Sequence, residues 1–170
     1  IKYKTQVKKL LVPAILTLLV LLSGQAFSTY EKAELERVID GDTIETESDT
    51  VRFLGVDTPE LSTDNRPQEY GLENSSENRE CLNRYAEEAS EFVQNSTGEN
   101  ITLLYDHRSD ERGTYGRRLA YVHEDGDLNR KLLVEGLAKV YPSSFSRWNE
   151  FYFWQYVAKK NSRGLWSCSG

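Results

Sequence analysis

Two short runs of the sequence place carboxylates where a hard cation could bind. In "VIDGDT", Asp40 and Asp42 flank a glycine, and in "VDTPE", Asp57 is followed by a threonine, a proline and a glutamate. Residues two apart on a strand face the same side, so we expect Asp40 and Asp42 to point together, with Gly41 free to take an otherwise strained turn. Calcium binds about six to eight oxygens from carboxylates, carbonyls and water. The aspartates and Thr58 could supply part of that set.

Arginines near the same runs supply the opposite charge. Arg52 lies five residues before Asp57 on the same predicted strand, and Arg117 and Arg118 follow "TYG" at the start of another. Guanidinium groups bind phosphate through paired hydrogen bonds and stabilise the added negative charge of a phosphodiester transition state. Glu60 could then take a proton from an attacking water. The pattern predicts a metal-assisted phosphodiesterase site.

Each of these features also has a purely structural interpretation. A lone Asp-Gly-Asp is a common turn, Arg52 and Asp57 can form an ordinary ion pair, and Asp-Thr-Pro often starts a turn or a helix. The joint occurrence, in order, of the carboxylate pair, the strand arginine, "DTPE" and an arginine after Tyr-Gly favours the catalytic interpretation.

Hydrophobic periodicity and turn signals predict the elements that must hold these residues. Strands are predicted over 33–40, 43–47, 50–56, 101–106 and 117–123. Helices are predicted over 79–95, from a cap at Asp127 to Gly136, and from near Ser146 to Gly164. The polar loop 61–78 is long enough to be a lid or to be disordered. We expect an α+β fold, a five-stranded β-barrel similar to the OB-fold with about three helices.

Six aromatic residues in the last predicted helix raise the question of base stacking. Aromatics at helical spacing more often pack against other elements, so we expect contact with the barrel and treat base stacking as the minor alternative. The residues are Trp148, Phe151, Tyr152, Phe153, Trp154 and Tyr156.

The first 26 residues differ from the rest of the chain. Four lysines precede an apolar run over 10–22, which is followed by "SGQA". This order is typical of a secretory signal peptide, and the run is shorter than the ~20 residues of a spanning helix. We expect 1–26 to be a signal peptide or, if uncleaved, an N-terminal membrane anchor. The domain over 27–170 would then be secreted or held at the outer face of the cell membrane.

Charge and cysteine content narrow the possible functions. Removing 1–26, with four lysines and no acidic residue, changes the net charge from −6 to −10. So acidic a protein has no general attraction to nucleic acid, and phosphate chemistry needs a local cationic site. In an exported chain, Cys81 and Cys168 favour a disulfide, with two free thiols as the alternative. Two cysteines and two distant histidines without CxxC spacing argue against zinc.

The motifs "VIDGDTI", "VRFLGVDTPE", "YGRRLAYV" and "LLVEGLAKVY" together resemble those of the staphylococcal nuclease (thermonuclease) family, over about residues 34–166. The resemblance implies a calcium-dependent phosphodiesterase over 27–170, on an oligonucleotide-binding barrel with three helices. It implies that Asp42, Asp57 and the carbonyl of Thr58 bind Ca²⁺, with Asp40 close by.

The resemblance also implies individual catalytic and binding roles. Glu60 would be the general base or would orient the water, and Arg52 and Arg117 would hold the phosphate and stabilise the transition state. Tyr115 and Tyr141 are the expected contacts to the nucleotide. Cys81 and Cys168 are similar in position to the cysteines of exported relatives, one on the first helix and one near the end.

The implied substrates are DNA and RNA, preferably single-stranded or denatured. Little sequence preference is expected because the contacts fall on phosphates. Thr114 replaces the lysine that the family carries before Tyr-Gly, and the loop after Glu60 is longer. Together with the acidic net charge, the Thr114 replacement predicts weaker or more salt-dependent binding of polymeric substrate. No stable protein partner is implied, and a monomer is the default expectation.

Two other function classes fit parts of the pattern. The first is a catalytically inactive OB-fold module that binds nucleic acid, but such relatives have lost the acidic and arginine positions that this chain keeps. The second is a calcium-binding or carbohydrate-binding protein on the same barrel. That alternative leaves Arg52 and Arg117 unexplained.

Overall fold

The computed structural model describes residues 29–62 and 65–168. Across these two ranges no helix combines the length and the apolar character needed to cross a membrane. The expected signal peptide or anchor over 1–26 lies outside the described residues and stays a prediction.

Among the described residues, five strands close into a barrel, a sixth of two residues extends its sheet, and two more of two residues each form a separate small sheet. The strands are β1 (Tyr30–Val38), β2 (Thr43–Thr46), β3 (Thr50–Phe53), β4 (Val56–Asp57), β5 (Asn100–Leu104), β6 (Arg118–Glu124), β7 (Gly126–Asp127) and β8 (Lys139–Val140). The antiparallel order β3-β2-β1-β5-β6 is closed by a parallel β3–β6 pair. This confirms the α+β, OB-like barrel expected from the sequence.

Three α-helices lie in the described part of the chain. They are α1 (Ser76–Ser96), α2 (Leu128–Glu135) and α3 (Trp148–Lys160), with short 3-10 helices at Pro67–Tyr70 and Gly164–Ser167. Ser75 caps α1 by accepting from the backbone N–H of Asn78, so α1 begins before its predicted start. Asp127 caps α2, and Gly136 ends it in a left-handed conformation, both as predicted. The chain turns at Asn161, so α3 ends before Gly164.

The predicted loop 61–78 is partly folded and packs against α1. Its 3-10 helix buries Pro67 and Tyr70, and Tyr70 shares a small apolar cluster with Leu82 of α1 and Leu165 near the C-terminus. A disulfide between Cys81 and Cys168 covers the same cluster and joins α1 to the C-terminal turn across a sequence separation of 87. The described part of this loop is therefore anchored structure beside the site.

The aromatic residues of α3 divide into two groups. Phe151 is buried in the barrel core, and Trp148 and Trp154 pack partly buried against it. The prediction of packing is correct for these three. The other three aromatics, however, are exposed: Tyr152, Phe153 and Tyr156.

Asp106 joins the end of β5 to β6 and to the residues before α3. It accepts hydrogen bonds from the Tyr121 hydroxyl at 2.6 Å, from the Ser146 N–H at 2.7 Å and hydroxyl at 2.6 Å, and from the Arg108 N–H at 2.9 Å. Burial raises the pKa of Asp106, but these hydrogen bonds outweigh it and bring the pKa to about 2.

This depressed pKa predicts a specific loss of stability in acid. The contribution of Asp106 is complete above its unfolded pKa, near 4, and disappears as pH falls towards 2. We expect Asp106→Asn to lower the free energy of unfolding at pH 7 by about 1–3 kcal/mol and to flatten its decline below pH ~4. Urea denaturation at several pH values measures both.

The exposed Asp125 provides a matched control on the β6–β7 turn. Asp125→Asn should leave both the stability and its pH dependence close to those of the parent protein. An Asp106→Asn curve parallel to the parent curve from pH 5 to pH 2 would contradict the assignment.

Candidate active site

A cleft of about 390 Å³ brings most of the predicted site residues together. Seven of them line it: Asp40, Arg52, Asp57, Glu60, Tyr115, Arg117 and Tyr141. The other two, Asp42 and Thr58, are buried beside it, at 1% and 3% exposure. Residues far apart in the sequence thus meet at one surface.

Loops and strand residues together assemble this cleft. Asp40 and Asp42 lie in the connection between β1 and β2, so the expectation that they share one side of a strand is wrong. Strands β1 and β3 are not neighbours either, because β2 lies between them. The carboxylates of the two motifs converge because the β1–β2 connection folds onto the chain that follows β4.

Gly41 is required for space rather than for a strained backbone. A Cβ atom there would lie 2.6 Å from the Cβ of Ala89 on α1 and 2.8 Å from the hydroxyl of Thr58. Its φ is not in the left-handed region, which corrects the expectation of a strained turn. The glycine lets α1 and the Thr58 segment approach the Asp40–Asp42 loop closely.

The carboxylate of Asp42 is the buried centre of the site. One oxygen accepts the backbone N–H of Thr58 at 2.8 Å, and the other accepts the hydroxyl of Thr43 at 3.1 Å. The same second oxygen forms an ion pair with Arg52. A buried carboxylate is costly unless it is paired and hydrogen-bonded, and Asp42 has both kinds of partner.

Arg52 shows that Asp42 and Asp57 face one point. Its guanidinium contacts Oδ1 of Asp42 and lies 2.5 Å from Oδ1 of Asp57. The other oxygen of Asp57 lies 2.6 Å from Nζ of Lys139 on β8. Lys139 was not predicted as a site residue, although it lies inside the "LAKVY" motif.

The donor chemistry at this point fits a hard divalent cation. Two carboxylates converge on one positive group, with the Thr58 backbone beside them, and oxygen donors of this kind suit Ca²⁺. Over 29–62 and 65–168, no group of three or more His, Cys, Asp or Glu side chains is arranged to hold a metal. A cation here would therefore compete with Arg52 for the two aspartates and take its remaining ligands from a carbonyl and water.

Asp40 and Glu60 form the acidic wall of the cleft. Burial raises the pKa of Asp40, against the opposing charge of Arg52. Partial burial also raises the pKa of Glu60, and the Asp40 carboxylate raises it further. Asp40 in addition accepts the backbone N–H of Asp42 at 3.0 Å, so it shapes the loop that carries the buried carboxylate.

Arg117 and Arg118 point to different places. Arg117 lines the cleft, donates to the hydroxyl of Thr43 at 3.2 Å and lies over the ring of Tyr115. Arg118 instead pairs with Glu31 of β1 and lies over the ring of Tyr105. The structure therefore assigns Arg118 to barrel packing and leaves Arg117 at the cleft.

Asn65 holds the backbone of Glu60 and was missed in the sequence. Its side chain accepts the N–H of Glu60 at 2.8 Å and donates to the Glu60 carbonyl at 2.7 Å. It also donates to Asn83 of α1 at 2.8 Å. A lone asparagine in a long polar loop carries no periodic or motif signal, so only the folded structure identifies it.

Comparison with known proteins agrees with this geometry. A family model described as "Staphylococcal nuclease homologue" matches residues 50–168. The chain belongs to the staphylococcal nuclease family. The matched region holds all the predicted site residues of this staphylococcal nuclease homologue except Asp40 and Asp42.

Three relatives illustrate the membership. Endonuclease YncB of Bacillus subtilis (strain 168) is 37% identical over 145 residues, which is 80% of this chain but only 62% of that protein. The thermonuclease of Staphylococcus hyicus is 35% identical over 153 residues, covering 85% of this chain and 81% of that protein. The uncharacterized protein MJ1439 of Methanocaldococcus jannaschii is 33% identical over 145 residues, covering 78% and 70%. The expected relationship to nuclease hydrolases is confirmed at the level of the family.

The contacts of Asn65 predict a role in placing Glu60. With Glu60 as the expected general base, we expect Asn65→Ala to lower kcat for nucleic-acid hydrolysis by about 10- to 100-fold with little change in KM, because a small displacement of such a group costs this much. Steady-state kinetics on denatured DNA measures the split between kcat and KM.

Asn78 offers a matched control, since it is equally buried and bonds the Glu73 carbonyl but does not touch Glu60. Asn78→Ala should cost similar stability and leave kcat within about twofold of the parent value. An equal loss of kcat in both variants would reduce the role of Asn65 to general stability.

Proposed function

We propose that this protein is a calcium-dependent nuclease that hydrolyses phosphodiester bonds in DNA and RNA with little sequence preference. The observation that carries the proposal is the meeting of Arg52, Glu60 and Arg117 in one cleft with the Asp42–Asp57 carboxylate pair beside them. The names of the endonuclease and thermonuclease relatives support the same reaction class.

In the proposed mechanism, the side chains divide the work of one displacement at phosphorus. Glu60 accepts a proton from the attacking water as the new P–O bond forms, and its raised pKa suits a group that takes up a proton. Arg52 and Arg117 donate hydrogen bonds to the phosphoryl oxygens, where negative charge grows. The bond to the leaving ester oxygen breaks, and solvent protonates that oxygen.

Asp42, Asp57 and the carbonyl of Thr58 are the proposed ligands of Ca²⁺, with Asp40 in support. A bound divalent cation adds positive charge beside the phosphate and positions oxygen ligands. Lys139 contributes by fixing the second oxygen of Asp57. A cation held by Asp42 and Asp57 would supply positive charge in place of Arg52, and the guanidinium of Arg52 would then be available to the phosphate.

Two exposed tyrosines on the cleft support a preference for single-stranded or denatured substrate. Tyr115 is 85% exposed and Tyr141 is 49% exposed, and both line the cleft. Exposed rings stack on unpaired bases of any kind, which is consistent with little sequence preference.

The decisive test is hydrolysis of denatured DNA by the oxidised chain in Ca²⁺ and in EGTA. We expect cleavage only with Ca²⁺, a loss of about 10²–10⁴-fold in kcat for Glu60→Gln, and a loss of about 10²–10³-fold for Arg117→Ala. The first variant removes the proton acceptor, and the second removes a donor to the transition state.

Two neighbouring residues supply the controls. Arg118→Ala removes the adjacent guanidinium, which pairs with Glu31 outside the cleft, and should leave kcat within about threefold if the protein stays folded. Glu69→Gln changes an exposed carboxylate paired with Arg66 and should have no effect. A folded wild-type protein that binds DNA without cutting it in Ca²⁺ would instead favour an inactive binding module.

We also propose that the domain is exported. The lysine-rich and apolar order of 1–26 and the Cys81–Cys168 disulfide both suit an oxidising compartment. Expression of the chain with residues 1–26 retained in a bacterial host should place an oxidised protein in the medium or at the outer face of the membrane. Mass spectrometry with thiol alkylation measures cleavage and oxidation together, and a reduced protein confined to the cytosol would contradict the proposal.

A further inference from the structure

The exposed aromatics of α3 form an unusual surface for a small acidic protein. Tyr152, Phe153 and Tyr156 are 42%, 56% and 61% exposed. Single exposed aromatics are common, but contiguous ones mark interaction sites. Tyr152 packs against Trp148 and Phe153 packs against Trp154, with ring centroids 4.6 Å and 5.1 Å apart. All three side chains nevertheless keep large exposed areas.

Helix geometry places these rings on one side with a cation. At about 100° per residue, Tyr152, Phe153, Tyr156 and Lys160 fall within an arc of about 100°. We call these four residues the α3 face. Lys159 lies at its edge and is also exposed.

The charge around the α3 face is opposite to that of the protein as a whole. Segment 146–164 has four basic residues, but Arg147 pairs with Asp127 and Glu150, and Arg163 pairs with Glu135. Lys159 and Lys160 are the cations at the α3 face, whereas 27–170 has a net charge of −10. Exposed aromatic rings beside positive charge are what single-stranded nucleic acid binds: the rings stack on bases and the cations contact phosphates.

The α3 face is continuous with the cleft through a chain of aromatic contacts. Phe145 packs under Gly55 on the cleft wall, where an added Cβ would lie 2.8 Å from its ring. The ring of Phe145 is 5.4 Å from that of Trp148, which is 4.6 Å from that of Tyr152. Phe145 is itself buried, so these contacts place the Tyr152 end of the α3 face close to the cleft wall, with the ring of Tyr152 no more than about 10 Å from that of Phe145.

We propose that the α3 face binds single-stranded nucleic acid that extends from the cleft, as a second contact for long substrates. This inference rests on the proposed function for its substrate class. It explains how a protein without a general electrostatic attraction to polynucleotides retains a long strand.

The test compares long and short ligands in EGTA, where a calcium-dependent hydrolysis would not interfere. The triple variant Tyr152→Ser, Phe153→Ser, Tyr156→Ser should bind fluorescein-labelled oligothymidylate of about 20 nucleotides at least ~10-fold more weakly than wild type. Its affinity for a thymidine dinucleotide should be unchanged. Tyr30→Ser, which removes an equally exposed ring from β1, is the matched control and should change neither affinity.

A second arm tests the cations. The double variant Lys159→Gln, Lys160→Gln should lower the slope of log Kd against log salt for the long oligonucleotide by about 1.4, since each phosphate contact on a single strand contributes ~0.7. Sedimentation of wild type and triple variant at the assay concentration tests for self-association.

Two results with the triple variant overturn the inference: an unchanged affinity for the long oligonucleotide, or an equal loss of affinity for the dinucleotide. Two results with wild type also overturn it: no binding of the long oligonucleotide, or a dimer that the triple substitution dissociates. The proposed function is judged separately by cleavage in Ca²⁺. If wild type binds the long oligonucleotide through α3 but cuts nothing, the inference stands and the catalytic proposal fails. If wild type cuts DNA in Ca²⁺ and the triple variant binds the long oligonucleotide as tightly as wild type, the catalytic proposal stands and the inference fails.

Discussion

The site depends on one buried charge. Asp42 is almost completely enclosed, and its carboxylate is tolerated because Thr43, Thr58 and Arg52 each contact it. Burying a charge without such partners costs several kcal/mol, so the loops that supply them cannot move independently. The Thr58 N–H is available only when the chain after β4 turns back over the Asp40–Asp42 loop. The buried carboxylate thus fixes the relation between two loops that are distant in sequence, and the cleft follows from that relation.

Most of the site residues could be predicted from the sequence because they belong to short motifs. Acidic pairs, strand arginines and a Pro-fixed turn have residue types that few structural roles require together, and most of these residues line one cleft. The sequence was less informative about where each side chain points. Arg117 and Arg118 are adjacent and chemically identical, so their residue types do not separate them. The family resemblance selected Arg117, and the structure adds that Arg118 turns to Glu31 while Arg117 donates to Thr43 at the cleft. Asn65 had no motif, since its role depends on a hydrogen bond to a helix beginning eleven residues later.

The charges close to the cleft differ from the net charge of the protein. Over 27–170 the protein is strongly acidic, yet Arg52, Lys139 and Arg117 surround the carboxylates of the cleft. Charges beyond about 8–10 Å are screened at physiological salt, so a phosphate in the cleft interacts mainly with the local groups. Residues 146–164 form a second basic stretch. Net charge therefore governs the long-range attraction or repulsion between the protein and a polymer. It says little about the local contacts once the polymer is bound.

The C-terminal turn packs so closely against the end of α2 that a side chain on either facing glycine would clash with backbone. Gly136 and Gly164 both have positive φ, and a Cβ on either would lie 2.2 Å from the backbone of the other segment. This contact holds the C-terminal turn against α2 and places Cys168 within reach of Cys81 on α1. With two cysteines in the chain, a single intramolecular pairing exists. Between these two cysteines, oxidation that precedes folding cannot form a wrong intramolecular pair, so this disulfide needs an oxidant but no disulfide isomerase.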